Sequence, residues 1–335
     1  MWGQSLHHYN SSRSTDTLTL EKKWCGQSTG GIEPDGTRTP RGLGGVSDKP
    51  RIRPMNRLAI CAIVRDEAPH IIEWMAFHRL VGVSRFVLYD DRSTDGTPEI
   101  AEKYTDVVVH RYTEGWHSAP YFGLNQGTGV YWWDKPQACS FHHFAEHHGE
   151  ETYWAAFIDV DEFLFHTTVD SLPDFLVPFE QHAGVVANWL VFGSNGHRTR
   201  PAGLTVEAYT RRGETGTPAP YGKHVKTIVN MTRQHRWGLN GSHCPVFADG
   251  SAPVTQDGHP NPWSMTPSPT SDGLRINHYY HRSYEEAALK AVKFDSNAPP
   301  GYPNATRVAA HDCNEVHDVE ILRFLPRLKE ALQCA

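Results

Sequence analysis

No run of apolar residues in this chain of 335 approaches the roughly 20 needed to cross a bilayer, and no charged segment followed by an apolar core opens it as a secretion leader would. Its six cysteines, Cys25, Cys61, Cys139, Cys244, Cys313 and Cys334, contain no C-x-x-C pair, which argues against a zinc ribbon or a disulfide framework. A basic stripe is also missing. With a formal net charge of −6, nucleic acid is not an expected partner. These absences lead to the expectation of a cytoplasmic protein, soluble or peripheral to a membrane. Its 39% hydrophobic content suffices for one large α/β domain or two small ones.

Periodic apolar pattern is absent from the first 54 residues, which are rich in Ser, Thr, Gly, Arg and Pro. Residues 1–54 therefore read as a disordered extension and 55–335 as the folded domain, beginning near Met55. Packing of the tail through Trp2 and Trp24 is the alternative.

What the chain does contain is carboxylate at the ends of apolar runs. From Trp154 to Phe165, WAAFIDVDEFLF reads as one buried strand carrying Asp159, Asp161 and Glu162. Strand side chains alternate faces, so Asp159 and Asp161 are expected on one side, where bare carboxylates repel unless a cation offsets them. Oxygen ligands of this kind suit Mg²⁺ or Mn²⁺, which bridge phosphates. Leu58 to Val64 is a second strand, followed by Arg65, Asp66 and Glu67 and by a helical pattern on Ile71, Ile72, Met75, Ala76 and Leu80 that stops near Gly82. Ser84 to Tyr89 is a third, running into Asp90, Asp91, Arg92, Ser93, Thr94, Asp95 and Gly96, with a helix from about Pro98 to Tyr104 and a strand at Val107 to His110. Strands alternating with helices predict a Rossmann-like α/β fold: a doubly wound, mostly parallel sheet with helices on both faces, binding ligands beyond the carboxyl ends of its strands. All three acidic clusters fall at such ends, which predicts one shared site.

Four segments, AICAIVRDEAPHIIEWMAFHRLVGV, FVLYDDRSTDGT, FIDVDEFLF and INHYYHRSYEEA, resemble in their order those of family 92 (DUF23) and related family 2 glycosyltransferases, over most of residues 58–315. The resemblance implies a GT-A fold, with a nucleotide-sugar half at 55–165 and an acceptor half at 166–335. It also implies hexosyl transfer, with inversion, from a nucleotide-diphosphate sugar donor, UDP-sugar foremost, to a glycan or other hydroxyl acceptor, as in polysaccharide biosynthesis. Mn²⁺ or Mg²⁺ would then be held by Asp159, Asp161 and His278, with His281 behind them. Donor contacts would fall to Arg65, Glu67, Asp90, Asp91, Ser93, Gln137 and Asp159. Lys226 would neutralise the departing diphosphate beside Asp161. Inversion also needs a base, for which Glu207, Glu214, Asp257 and Asp312 stand open; Asp257 and Asp312 join Asp161 and Lys226 as catalytic candidates. Animal members of that family carry Golgi anchors, so the missing span favours a soluble, bacterial-type enzyme.

Other readings compete locally. Ser93 to Gly96 also suits a plain turn and helix cap, and Lys226 a solvated strand edge. Glu114 to Asp134 is an aromatic, Gly-rich loop, either a cover over a sugar or core filling by Trp132 and Trp133. Lys135 to His148 is a helix with Ala138, Phe141, Phe144 and Ala145 inward, and on it His143, Glu146 and His147 spell the H-x-x-E-H of a zinc metalloprotease. Val185 to Phe192 is a further strand, and Ser283 caps a helix reaching Phe294, with Glu285 and Glu286 in its first turn. A catalytically inactive sugar-binding relative and a nucleotidyltransferase also remain open.

Overall fold

The computed structural model describes residues 56–111, 136–219, 221–238, 241–292 and 304–333, all within the compact unit Ile52–Ala335. The expected extension 1–54 and the aromatic segment Glu114 to Asp134 lie outside the described residues.

β1 (Asn56–Val64) shows why its sequence reads as unbroken hydrophobicity. Leu58, Ile60, Ala62 and Val64 pack into one apolar cluster, and Ala59 and Cys61 into a second on the opposite face, so the strand is buried on both sides. α1 (Ile71–Leu80) follows and covers the first face. It stops at Gly82, whose φ is +98° and where a Cβ would fall 2.6 Å from Pro173 Cδ, so only glycine fits that turn. β2 (Arg85–Asp90), α2 (Thr97–Ala101) and β3 (Val107–Arg111) complete the first half. α3 (Pro136–His147) lays Phe141 and Phe144 on the second face, as its spacing predicts.

β4 (Thr152–Phe157) and β5 (Glu162–His166) are two strands where the sequence suggested one. Then come α4 (Leu172–Leu176), β6 (Gly184–Val191), α5 (Thr205–Ala208), β7 (Arg211–Arg212), β8 (Val225–Asn230), β9 (His235–Gly238) and β10 (Gly241–Phe247). β11 (Leu274–His278), α6 (Tyr284–Val292), α7 (Asn304–Ala310), β12 (Val316–His317) and α8 (Leu325–Gln333) end the described chain.

Eight strands form the main sheet in the order β3-β2-β1-β4-β8-β6-β11-β5. β8 and β5 run against the other six, giving a mixed, mostly parallel α/β sheet with α1 and α8 on one face and α3 on the other. The stretch Trp154 to Phe165 therefore corrects the one-strand reading. Chain leaves β4 at Phe157 and re-enters as β5 at the far edge, beyond β8, β6 and β11. Five residue steps reach at most about 18 Å, whereas four strand spacings in a flat sheet need about 19 Å. The sheet must curl for this link to close. Residues 158–161 thus cross the carboxyl edge as a turn, with Glu162 N donating to Asp159 O at 3.0 Å, and the alternating-face rule does not apply to Asp159 and Asp161.

Asp318 fastens β11 from outside. It accepts from Arg275 Nη2 and Arg212 Nε, both at 2.6 Å, and all three side chains are buried. Cys61, Cys139, Cys244 and Cys313 are buried free thiols. Among the described residues no helix is long and apolar enough to cross a membrane.

Candidate functional site

The link between β4 and β5 carries its carboxylates across the edge where β4, β6 and β11 end and the antiparallel β8 begins. Asp159, above β8, accepts from Lys226 Nζ at 3.0 Å and from Gln137 Nε2, at the start of α3, also at 3.0 Å. Lys226 is only 2% exposed and lies 3.5 Å from Glu162, which is wholly buried. Burial works to lower the Lys226 pKa, but Asp159 and Glu162 outweigh it and hold the ammonium charged. Burial pushes the Glu162 carboxyl well above the usual range against the pull of Lys226, so the single ammonium balances Asp159. Lys226 is thus neither a solvated edge lysine nor turned toward open solvent.

Asp161, above β11, is buried, with Lys290 Nζ of α6 on Oδ2 and His278 Nε2 3.6 Å from Oδ1. Burial alone would raise its pKa; Lys290 and His278 reverse that and hold the carboxylate ionised. Burial lowers the His278 pKa, Asp161 opposing, and its Nδ1 is buried without a hydrogen-bond partner among the described residues. An ionised carboxylate facing the Nε2 of a neutral imidazole is a donor pair of the kind Mn²⁺ accepts better than Mg²⁺, and Lys290 now neutralises its other oxygen. Asp159 stands apart in this arrangement. Its oxygens are engaged by Lys226 and Gln137, and the ligand atoms of Asp159, Asp161 and His278 do not gather within 4.8 Å of one another.

The turns after β1 and β2 are stitched together. Asp66 N donates to Ser93 Oγ at 2.9 Å, Thr94 N to Asp66 Oδ1 at 2.7 Å, Ala68 N to Asp95 Oδ2 at 2.9 Å and Glu67 N to Thr97 Oγ1 at 2.8 Å. Ser93 N reaches Asp90 at 3.3 Å and Asp95 takes Thr97 N, so Ser93 to Gly96 is a clamped turn, and the N-cap of α2, Gly96, makes no side-chain capping bond. Asp91 is paired with Arg92 at 3.0 Å and approaches Arg65 at 3.7 Å. Asp66 and Arg282, with φ of 53° and 54°, hold left-handed backbone that side-chain-bearing residues rarely adopt, and both face the same cleft.

That cleft, about 590 Å³, opens between the turn after β1 and the segment from β11 into α6. Arg65, Arg200, Arg282 and Lys290 bring four cations to its wall, and Asp66, Glu67, Glu285 and Glu286 four carboxylates. Arg282 Nη1 donates to Glu67 at 3.2 Å, while its Nε and Nη2 are buried without partners among the described residues. Glu286 lies 3.0 Å from His70 Nε2 and closes a capping box with Ser283, whose Oγ accepts from Glu286 N at 3.3 Å. His281 borders the cleft too.

None of the four proposed bases lines this cleft. Asp312 accepts from Ser194 N, Asn314 Nδ2 and Tyr284 Oη at 2.7 to 2.8 Å, and those donors hold its carboxyl down at about 2 against burial; it is a structural tie. Glu207 is paired with Lys329, and Asp257 and Glu214 are exposed on loops. Of H-x-x-E-H, Glu146 and His147 are exposed, and His143 groups with His110 and His148 instead. Lys290, Arg282 and His70 are the site residues that sequence reasoning passed over. Arg282 sits inside INHYYHRSYEEA, whereas Lys290 reads as an ordinary helix-surface lysine.

A model of glycosyltransferase family 92 matches residues 57–243 of this chain. A family 92 protein of Ricinus communis is 30% identical over 262 residues, 77% of this chain and 41% of its own length. Another, from Arabidopsis thaliana, is 32% identical over 113 residues, 34% of this chain and 17% of its own length, and one from Oryza sativa subsp. japonica is 30% identical over 124 residues. The chain thus spans less than half the length of these curated relatives.

Proposed function

The chain belongs to glycosyltransferase family 92, and on that premise we propose that it moves a sugar from a nucleotide-diphosphate donor, UDP-sugar first among candidates, to a hydroxyl acceptor on a GT-A type sheet. The observation that carries this reading is the cleft at the carboxyl edge of the sheet, where Arg65, Arg282 and Lys290 line a wall beside the Asp161–His278 pair. Each of the three is now held by a carboxylate, Asp91, Glu67 and Asp161 in turn, and a diphosphate would bind by taking over those cations.

Asp161 and His278 are the residues that would hold Mn²⁺ or Mg²⁺, which when bound supplies charge neutralisation at the leaving diphosphate. Arg282, which lines the cleft and holds Glu67 through Nη1, is the guanidinium best placed to exchange that carboxylate for a phosphate. Lys290, now on Asp161, is placed to follow the developing charge. Lys226 acts one step back: it holds Asp159 in place, and Asp159 in turn fixes Gln137. Asp90 and Ser93 shape the base- and ribose-facing turn through the clamp with Asp66, and Asp91 through its pairs with Arg92 and Arg65. For inversion, the proton acceptor is sought among the carboxylates bordering the cleft, Glu285 first, since Glu286 is committed to His70 and Ser283.

Incubation with a panel of UDP, GDP and dTDP sugars and Mn²⁺ tests the reading through the product released. Nucleoside diphosphate is expected. Pyrophosphate would point to nucleotidyl transfer, and binding without release to a sugar-binding relative that has lost catalysis.

A further inference from the structure

β3 and the far end of α3 meet at a second cluster of ligand atoms that the sugar-transfer reading does not use. One ring nitrogen from each of His110, His143 and His148 lies within 4.8 Å of the other two, and the Nε2 atoms of His110 and His148 are 2.9 Å apart. The rings come from three places: a strand, the body of a helix and the residue just past that helix. Tyr89 organises two of them. Its hydroxyl is 2.9 Å from His143 Nδ1, and its ring stacks on His110 at 5.0 Å and 21°.

All three histidines are half-buried. Burial, reinforced by neighbouring histidines, holds His143 and His148 near 4 and lowers His110, so at neutral pH the rings are uncharged and offer lone pairs. Three imidazole nitrogens gathered within 4.8 Å of one another are a donor set that one nitrogen-preferring ion can take together. In tetrahedral zinc sites, with bonds of 2.0–2.1 Å, ligand nitrogens stand about 3.3 Å apart, within reach of small ring rotations here. Among the described residues no carboxylate joins the group, and three imidazoles suit a transition ion rather than Mg²⁺ or Ca²⁺.

We infer that His110, His143 and His148 form a binding site for one divalent transition ion of the Zn²⁺ class, held by three imidazoles. The ion staples α3 to β3. Gln137, six residues before His143 and so about 9 Å along the helix, presents its amide to Asp159, so the staple also fixes that contact. His147 stays outside the cluster although its ring is 4.2 Å from that of His143, so the site is not the H-x-x-E-H pair. The inference stands independently of the cleft's function.

The full chain, stripped with a chelator, is titrated with Zn²⁺ in excess Mg²⁺ by calorimetry, and with Co²⁺ followed by its visible absorption. One ion per chain is expected, with the intense spectrum of low-coordinate cobalt. His110→Gln and His148→Gln should each lose stoichiometric binding, while Asp161→Asn and His166→Ala keep it; far-UV circular dichroism checks that each variant folds. If His110→Gln does not fold, His148→Gln, past the helix end, decides. Sub-stoichiometric binding in the parent chain, or binding unchanged in the folded variants, overturns the site and shows adventitious capture by other histidines.

Discussion

Lys226 Nζ lies 3.0 Å from Asp159 Oδ2, joining the inner strand β8 to the turn that carries the acidic pair across the sheet edge. The same ammonium is 3.5 Å from the fully buried Glu162. Removing it leaves Asp159, whose side chain is 35% exposed, without its ammonium, a smaller loss than the about 3–5 kcal/mol of a fully buried pair. Lys226→Met is therefore expected to lower the unfolding free energy by about 1–2 kcal/mol in urea denaturation. A variant as stable as the parent would show that the pair does not hold the turn.

Asp318 serves two guanidiniums at once, Arg212 and Arg275, each at 2.6 Å and each nearly inaccessible. Asp318→Ala leaves two buried cations unpaired, so a loss of at least about 3–5 kcal/mol is expected. Because Arg275 lies on β11 three residues before His278, donor binding should weaken with it. The test is to measure both quantities on the same preparation; intact stability in the variant contradicts the role.

Much of the first half was legible because its signals are local. Strands buried on both faces read as solid apolar runs, α1 shows apolar residues at helical spacing although it is buried nearly all round, and Gly82 ends it where a left-handed turn needs glycine. The run from Trp154 to Phe165 misled for the same reason. Both strands are apolar on both sides, so nothing in the twelve residues marks the point where chain leaves one place in the sheet and returns at another. Lys290 and Arg282 escaped notice because their partners, Asp161 and Glu67, are more than a hundred residues away. The base candidates were chosen by residue type alone, and Asp312 turned out to be committed to backbone and side-chain donors.

Glu286 gives a signature in pH. His70, Ser283 and Arg282 hold its carboxyl at about 2 against burial, below the ordinary 4.5. A carboxyl depressed by folding stabilises the native state in full above its unfolded value and loses that contribution as pH falls toward the folded one. The parent chain should therefore lose up to about 3 kcal/mol between pH 5 and 2 from this group. Glu286→Gln should be less stable at pH 6 and show a shallower slope over that interval in acid titrations of stability. Parallel slopes for parent and variant would remove Glu286 from the account.

The most direct measurement is the thermal shift given by a nucleotide-diphosphate sugar with and without Mn²⁺, in the parent chain and in Asp161→Asn. Held at a hundred times its dissociation constant, a donor stabilises by about 2.7 kcal/mol. The account predicts that shift for the parent chain with Mn²⁺, a much smaller one without it, and none for Asp161→Asn. An equal shift in Asp161→Asn, or one indifferent to Mn²⁺, would contradict the assignment of donor and cation to the edge shared by Asp161 and His278.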